Sequence, residues 1–144
     1  MAALTQERKT PRLADAFPAY TSDAGYGVAA STTIYAGALV CKNASGYVVP
    51  ASTSTTQVAL GVAEKTVTNS GAAGSVTVPI RTGVHGFNNS SAGDLIAITE
   101  IGTDCYIVDD NTVAKTNGTS TRSRAGKVVD VNANGVFVLV FPGL

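Results

Sequence analysis

An all-β single domain, of small barrel or sandwich type with an extended N-terminal arm and little helix, is the architecture this 144-residue sequence predicts. Three observations carry the prediction. Apolar and β-branched residues come in short runs separated by clusters of Gly, Ser, Thr, Asn and Pro, the punctuation of strands and tight turns. The hydrophobic share is 44%, enough to exclude wholesale disorder, yet it is mostly Val and Ala, with no Trp and aromatics at 6%, so the expected core is thin. Charged residues are only 14%, against roughly 25% in an ordinary soluble domain, which leaves a surface of Ser, Thr and Gly that suits strands and turns better than helices.

Taken in order, residues 1–25 have no convincing apolar period, and Pro11 and Pro18 would break a helix, so they read as an extended arm preceding a β-rich domain over 26–144. The same stretch holds Glu7, Arg8, Lys9, Arg12 and Asp15 and no apolar core of the secretory kind, which predicts no signal peptide. Residues 26–30 read as a lead-in strand. Residues 34–41 and 47–49 read as two strands folded back through Asn43, Ala44, Ser45 and Gly46, with Pro50 ending the second. Residues 58–63 form a third strand whose Gly61 marks a bulge or a close backbone approach, and residues 64–68 prolong it. A flexible turn over 69–74 leads to residues 75–81, where Val76, Val78 and Ile80 share one face and Pro79, which has no N–H to give a ladder, predicts an edge or a bulge.

Residues 83–87 read as a short strand, residues 94–99 and 105–108 as two more, with a short helix admissible within 88–95 or 109–116. Asp109, Asp110 and Asn111 close a turn, and the polar stretch 112–124 reads as a mobile loop. Residues 127–131 and 135–140 form the clearest hairpin, joined through an Asn134-Gly135 pair that signals a type I′ turn.

Charge excludes several function classes. Ten basic and ten acidic residues cancel, so there is no bulk attraction to nucleic acid or to an anionic membrane. No stretch is long enough to span a bilayer as a helix. The charges are segregated: Asp94, Glu100, Asp104, Asp109 and Asp110 carry no base among them, and Lys115, Arg122, Arg124 and Lys127 carry no acid. Either these are solvated faces, or an acidic edge of one copy meets a basic loop of the next.

Catalytic and metal chemistry find little support. His85 is the single histidine; it lies between Val84 and Gly86, and no Gly-x-Ser-x-Gly elbow accompanies it. Asp109 and Asp110 are adjacent, so on an extended chain they point apart. Cys41, His85 and Cys105 are widely spaced, without a Cys-x-x-Cys, and the two cysteines sit in apolar strand contexts that predict buried free thiols. No phosphate loop or aromatic-basic platform is present. No catalytic residue, metal ligand or cofactor is therefore assigned, and a binding or structural role is favoured.

The runs Ile34-Tyr35-Ala36-Gly37-Ala38-Leu39-Val40, Gly46-Tyr47-Val48-Val49-Pro50-Ala51 and Gly61-Val62-Ala63, with the ending from Ala125-Gly126-Lys127-Val128-Val129 to Val140, resemble in order and spacing the head decoration, or capsid cement, proteins of tailed bacteriophages. The likeness covers roughly residues 20–141. It implies a structural virion protein, made in the host bacterial cytoplasm. Such a protein binds the outer surface of the expanded head as a homotrimer, with the phage's own major capsid protein as partner and no direct contact with nucleic acid or membrane. Family members often order an N-terminal arm against the shell, which makes Thr5, Arg8, Lys9 and Arg12 the candidate capsid-binding residues. The alternative is a carbohydrate-binding or adhesin-type β-module of a phage fibre, with Tyr20, Tyr26, Tyr35, Tyr47 and Tyr106 as candidate stacking residues.

Overall fold

β3 (Leu39–Lys42) is buried on both of its faces, and that fixes the layers of the molecule. Side chains alternate across a strand, and here Leu39 and Cys41 enter one apolar cluster while Val40 enters a second on the opposite side. β3 pairs with β4 (Val48–Pro50) and β5 (Val58–Ala63), and β8 (Ile80–Arg81) extends β5, giving a four-stranded sheet in the order β4-β3-β5-β8. The computed structural model describes Gln6 and residues 25–143, and over those residues the all-β class is observed.

The first cluster is closed by a five-stranded sheet in the order β11-β10-β12-β13-β9, made of β9 (Gly83–Phe87), β10 (Asp104–Ile107), β11 (Val113–Ala114), β12 (Arg124–Asn132) and β13 (Gly135–Val140). Ile107, Val113, Val128, Val136, Val138 and Val140 meet Leu39, Cys41 and Ala59 of the other sheet. The second cluster holds Val28, Ile34, Val40, Val48, Leu60, Val78 and Ile80. Two small antiparallel pairs lie on that side, β1 (Tyr26–Gly27) with β7 (Thr77–Val78) and β2 (Thr32–Ile34) with β6 (Val67–Asn69).

Edges are managed locally. The end of β9 meets the segment before β11 through a parallel bridge between Asn88 and Thr112, held by Asn88 N to Asn111 O at 2.7 Å and Val113 N to Asn88 O at 3.0 Å. The five-stranded sheet thus curls toward closure, a device that removes exposed backbone donors and acceptors. At the other sheet, Val28 bridges Val48 in parallel and Ala29 N donates to Val48 O, covering the β4 edge.

Several expectations change. Residues 34–41 are not one strand: the chain turns after Ile34, with Gly37 at φ +88°, and Ala38 N donates to Tyr35 O. Residues 64–68 do not prolong β5, because Val67–Asn69 leaves to pair with β2. The 75–81 strand divides at Pro79, so that β7 pairs with β1 and β8 with β5. Residues 94–99 form no strand; 3-10 turns occupy Ala92–Asp94 and Ile98–Glu100. The 112–124 stretch is not simply a loop, since Val113 and Ala114 are fully buried and pair with β10.

Bulge and turn chemistry follow the glycines in two places. Val40 faces Gly61 while Cys41 faces Ala59, so Leu60 is the extra residue. A Cβ on Gly61 would stand 2.5 Å from Arg81 O, which is the close approach its glycine predicts. The 132–135 turn is not type I′. Asn132 pairs directly with Gly135, Ala133 and Asn134 keep negative φ, and only Gly135 is positive at φ +127°. The side-chain oxygen of Asn132 accepts from Asn134 N at 2.8 Å and does locally what a primed turn would have done.

Candidate functional site

The segregated charges meet inside one chain. β10 and β12 run antiparallel with Asp104 opposite Lys127, and Lys127 Nζ stands 2.7 Å from Asp104 Oδ1, with Arg124 Nη1 at 3.4 Å from the same oxygen. Arg122 Nη1 reaches Asp94 Oδ2 at 3.1 Å, and Lys115 Nζ reaches Glu100 Oε1 at 3.6 Å. Every base of the 115–127 segment is therefore matched to an acid of the 94–104 segment. Asp94 is held below the ordinary carboxylate range first by the Thr116 hydroxyl and then by Arg122. Glu100 is lowered chiefly by the Ala97 N–H, with Thr99 and Lys115 assisting. Asp109 serves its turn, accepting from Asn111 N at 2.9 Å.

Asp94 also borders a polar surface groove, lined by Ser91, Ala92, Gly93 and Thr116 to Thr119. Ala92, Thr119 and Ser120 all take positive φ, at 54°, 59° and 62°. Asn117 stabilises this tight left-handed turn, its backbone oxygen accepting from Thr121 N and Arg122 N and its side-chain oxygen from Ser120 N. The groove's hydrogen-bonding groups are largely spent on the turn itself.

His85 sits on β9 beside a shallow depression lined by Val62, Ala63, Glu64 and Arg81. Its Nε2 lies 3.2 Å from Arg81 O, and Arg81 Nη2 lies 3.2 Å from Glu64 Oε1. No Ser, Thr or Cys is among those lining residues, so the histidine has no nucleophile to activate there. Cys41 and Cys105 are both free and fully buried in the first cluster. Burial pushes each thiol up to about 12, far from the thiolate character that reactivity needs. Among the described residues no group of three or more His, Cys, Asp or Glu could hold a metal ion, and no helix is long and apolar enough to cross a membrane.

Of the candidate stacking tyrosines, Tyr35 is 64% exposed. Tyr26 packs on the second cluster, the Tyr47 ring lies against Gly27 and Gly74, and Tyr106 is half-buried. Tyr20 and the candidate capsid-binding residues Thr5, Arg8, Lys9 and Arg12 lie outside the described residues.

Contact surface of a different kind was not anticipated. Leu95, Ile98 and Ile101 are exposed by 48%, 68% and 43% within seven residues of chain, while Ile96 between them is buried. Asn89 holds the segment in place, its Oδ1 accepting from Ile96 N and its Nδ2 donating to Ile96 O. Gly102 N donates to Val128 O at 2.8 Å, which ties the end of this segment to β12 next to its bulge, where Val129 is 43% exposed. The signal was present in the sequence as the apolar run Leu95-Ile96-Ala97-Ile98 followed by Ile101, but such a short run reads equally as a strand.

No protein-family model matches this sequence, and neither the curated proteins nor the solved structures contain a match.

Proposed function

We propose that this protein is a non-enzymatic structural protein of a tailed-bacteriophage virion. In this reading it binds the outer surface of the expanded head and stabilises it through contacts with the major capsid protein, as a homotrimer. The supporting observation is the character of the surface. Large apolar side chains, Leu95, Ile98, Ile101 and Val129, stand exposed, and Asp94, Glu100 and Asp104 near them in the chain are already paired with Arg122, Lys115 and Lys127. Such a surface offers contact and little chemistry. An exposed apolar patch rimmed by polar residues is the usual mark of a protein interaction site, and repetition over a shell lets modest contacts suffice because each oligomer binds at several points.

The runs that carry the family resemblance contribute residues to β2, β3, β4, β5, β12 and β13, with Tyr35 to Ala38 and Gly46-Tyr47 in the turns between them. Shell attachment is assigned to the N-terminal arm, with Thr5, Arg8, Lys9 and Arg12 as its contacts. Deleting residues 2–15 should abolish co-sedimentation with expanded heads while leaving the circular-dichroism spectrum and unfolding midpoint of the β-domain unchanged. Undiminished binding by the truncated protein would remove the arm from the account.

A further inference from the structure

We infer that the seam between the two sheets, beside Ala59 on β5, takes an extended peptide segment of a partner protein, one that carries a carboxylate. The argument starts from the backbone. Asn43 N donates to Tyr47 O and Ala51 N to Leu39 O, so Leu39, Cys41 and Asn43 turn their backbone groups toward β4. Antiparallel pairs alternate between bonded and non-bonded. Cys41 faces Ala59 across β3 and β5. That pair is therefore a non-bonded one, and the N–H and C=O of Ala59 point away from β3. On that side β8 pairs only with Val62 and Ala63, and no described residue bonds to either backbone group of Ala59. Ala59 is nonetheless only 7% exposed. A buried N–H and C=O left unpaired are rare, and mark a place where a partner belongs.

These groups border a cavity of about 230 Å³, lined by Val58 and Ala59 on one side and by Arg124, Ala125 and Phe141 on the other. The β12–β13 ladder also stops short of it, its last pair being Lys127 with Leu139. At one end of the seam Gln57 N donates to Ser123 Oγ at 3.2 Å, and Ser123 Oγ donates to Ser54 O at 2.7 Å. That tie pins the two sheets to each other beside the cavity. The space is well beyond the roughly 10–15 Å³ that one water needs.

Geometry and charge together define the occupant. A residue lying antiparallel to Ala59 would exchange both N–H···O bonds with it, which is recognition by strand addition, where main-chain bonds give affinity and side-chain contacts give selectivity. Val58, 37% exposed, and Phe141 offer it apolar contact. Arg124 supplies the charge. Asp104 Oδ1 takes Lys127 Nζ at 2.7 Å and Arg124 Nη1 at 3.4 Å, one carboxylate against two cations. The uncompensated positive charge lies with Arg124, on the longer contact and on the cavity wall, and it calls for a carboxylate beside the pairing residue. The inference goes beyond the decoration reading and does not depend on it.

Because main-chain bonds carry the contact, a generic strand serves as the probe. Titrating the isotope-labelled full chain with the peptide acetyl-Thr-Val-Thr-Val-Glu-Val-Thr-amide to about 2 mM, the weak end of specific affinity, should give saturable amide shifts centred on Val58 to Leu60 and Arg124 to Gly126. The same peptide N-methylated throughout should not bind. Replacing its Glu by Lys, or Arg124→Gln in the protein, should weaken binding by about fivefold, the scale of a partly exposed ion pair. Lys127 still holds Asp104 in that variant, and the unfolding midpoint checks its fold. In the free protein the Ala59 amide should exchange with water faster than that of Cys41, and the peptide should slow it. Absence of a saturable shift overturns the inference, as do shifts centred on another edge, undiminished binding of the N-methylated peptide, and equal affinity for the Lys peptide. An Ala59 amide that is already protected, and loses its protection when residues 2–15 are deleted, makes the chain's own arm the occupant and overturns the partner. Heads that bind when the peptide does not leave the decoration reading standing without this site.

Discussion

Asn69→Ala probes a buried polar hub of the fold. Asn69 is 1% exposed. Its Nδ2 donates to Val28 O at 3.0 Å, Ala29 O at 3.2 Å and Ala72 O at 2.9 Å, while its Oδ1 accepts from Gly71 N at 3.0 Å and Ser75 Oγ at 2.8 Å. One side chain thus ties the chain after β1 to the turn between β6 and β7. A hydrogen bond contributes about 0.5–1.5 kcal/mol net, so losing five would cost between about 2.5 and 7.5 kcal/mol. The lower part of that range applies, because Val28 O still accepts from Gly74 N, and Ala72 O from Ser75 N, once the amide is gone. The groups left short are Ala29 O and Gly71 N.

The expected loss is therefore about 3 kcal/mol, a large part of the roughly 5–15 kcal/mol that holds a domain together. Urea unfolding measures it as a lower midpoint at unchanged slope. Asn69→Asp gives the sharper comparison: it keeps the acceptor and the shape but turns a carboxylate oxygen toward three carbonyls, so at pH 7 it should destabilise at least as much as alanine. A loss below about 1 kcal/mol for alanine, or a milder effect for aspartate, would refute the assignment of Asn69 as a hub.

Other outcomes follow from the same structure. Gly126→Ala would drive a Cβ into the Leu139 carbonyl oxygen across the β12–β13 ladder, and the forced backbone shift should cost about 2 kcal/mol or more; a wild-type melting temperature would contradict it. Cys41 and Cys105, with thiols pushed up to about 12 by burial, should react with a disulfide reagent at pH 8 only as fast as the protein unfolds, and reaction within seconds in native buffer would show the core to be open. The lowered carboxyls of Asp94 and Glu100 stabilise the fold above the ordinary carboxylate range and lose that contribution as pH falls through their folded values. Stability should therefore hold from neutral pH to about pH 5 and decline below about pH 4. The Asp94→Asn, Glu100→Gln double variant should show a smaller decline in urea midpoint between pH 7 and pH 3; an equal decline would place the acid sensitivity elsewhere.

The fold class was legible in the sequence because strand runs and turn residues alternate so regularly, and the β3–β4 and β12–β13 hairpins follow their patterns closely. Strand ends were less so. Tyr35 to Ala38 continues an apolar run, and only the positive φ of Gly37 shows that the chain leaves the strand there. Residues 69–74 look like a flexible turn, yet Asn69 makes them ordered through partners as distant as Val28, which local composition does not disclose.

Charge segregation was visible but its meaning was not. The same pattern serves solvated faces, contact between copies, or pairing between two strands, and the β10–β12 register decides for the last. The contact surface was missed for a related reason: Ile98 and Ile101 lie in and just after a 3-10 turn whose periodicity over so few residues cannot be told from that of a strand. The continuous apolar run of β13 was legible, but which of its residues enter the core, Val136, Val138 and Val140, is fixed by its pairing with β9 and β12.

The central claim is tested most directly by mixing the purified full-length protein with expanded, undecorated heads of its parent phage and measuring saturable co-sedimentation, with unexpanded proheads as the control. The account predicts saturable binding to expanded heads alone, at a stoichiometry that reports the lattice position. Absence of binding to either particle would contradict it and move the assignment to a glycan-binding module of a phage fibre.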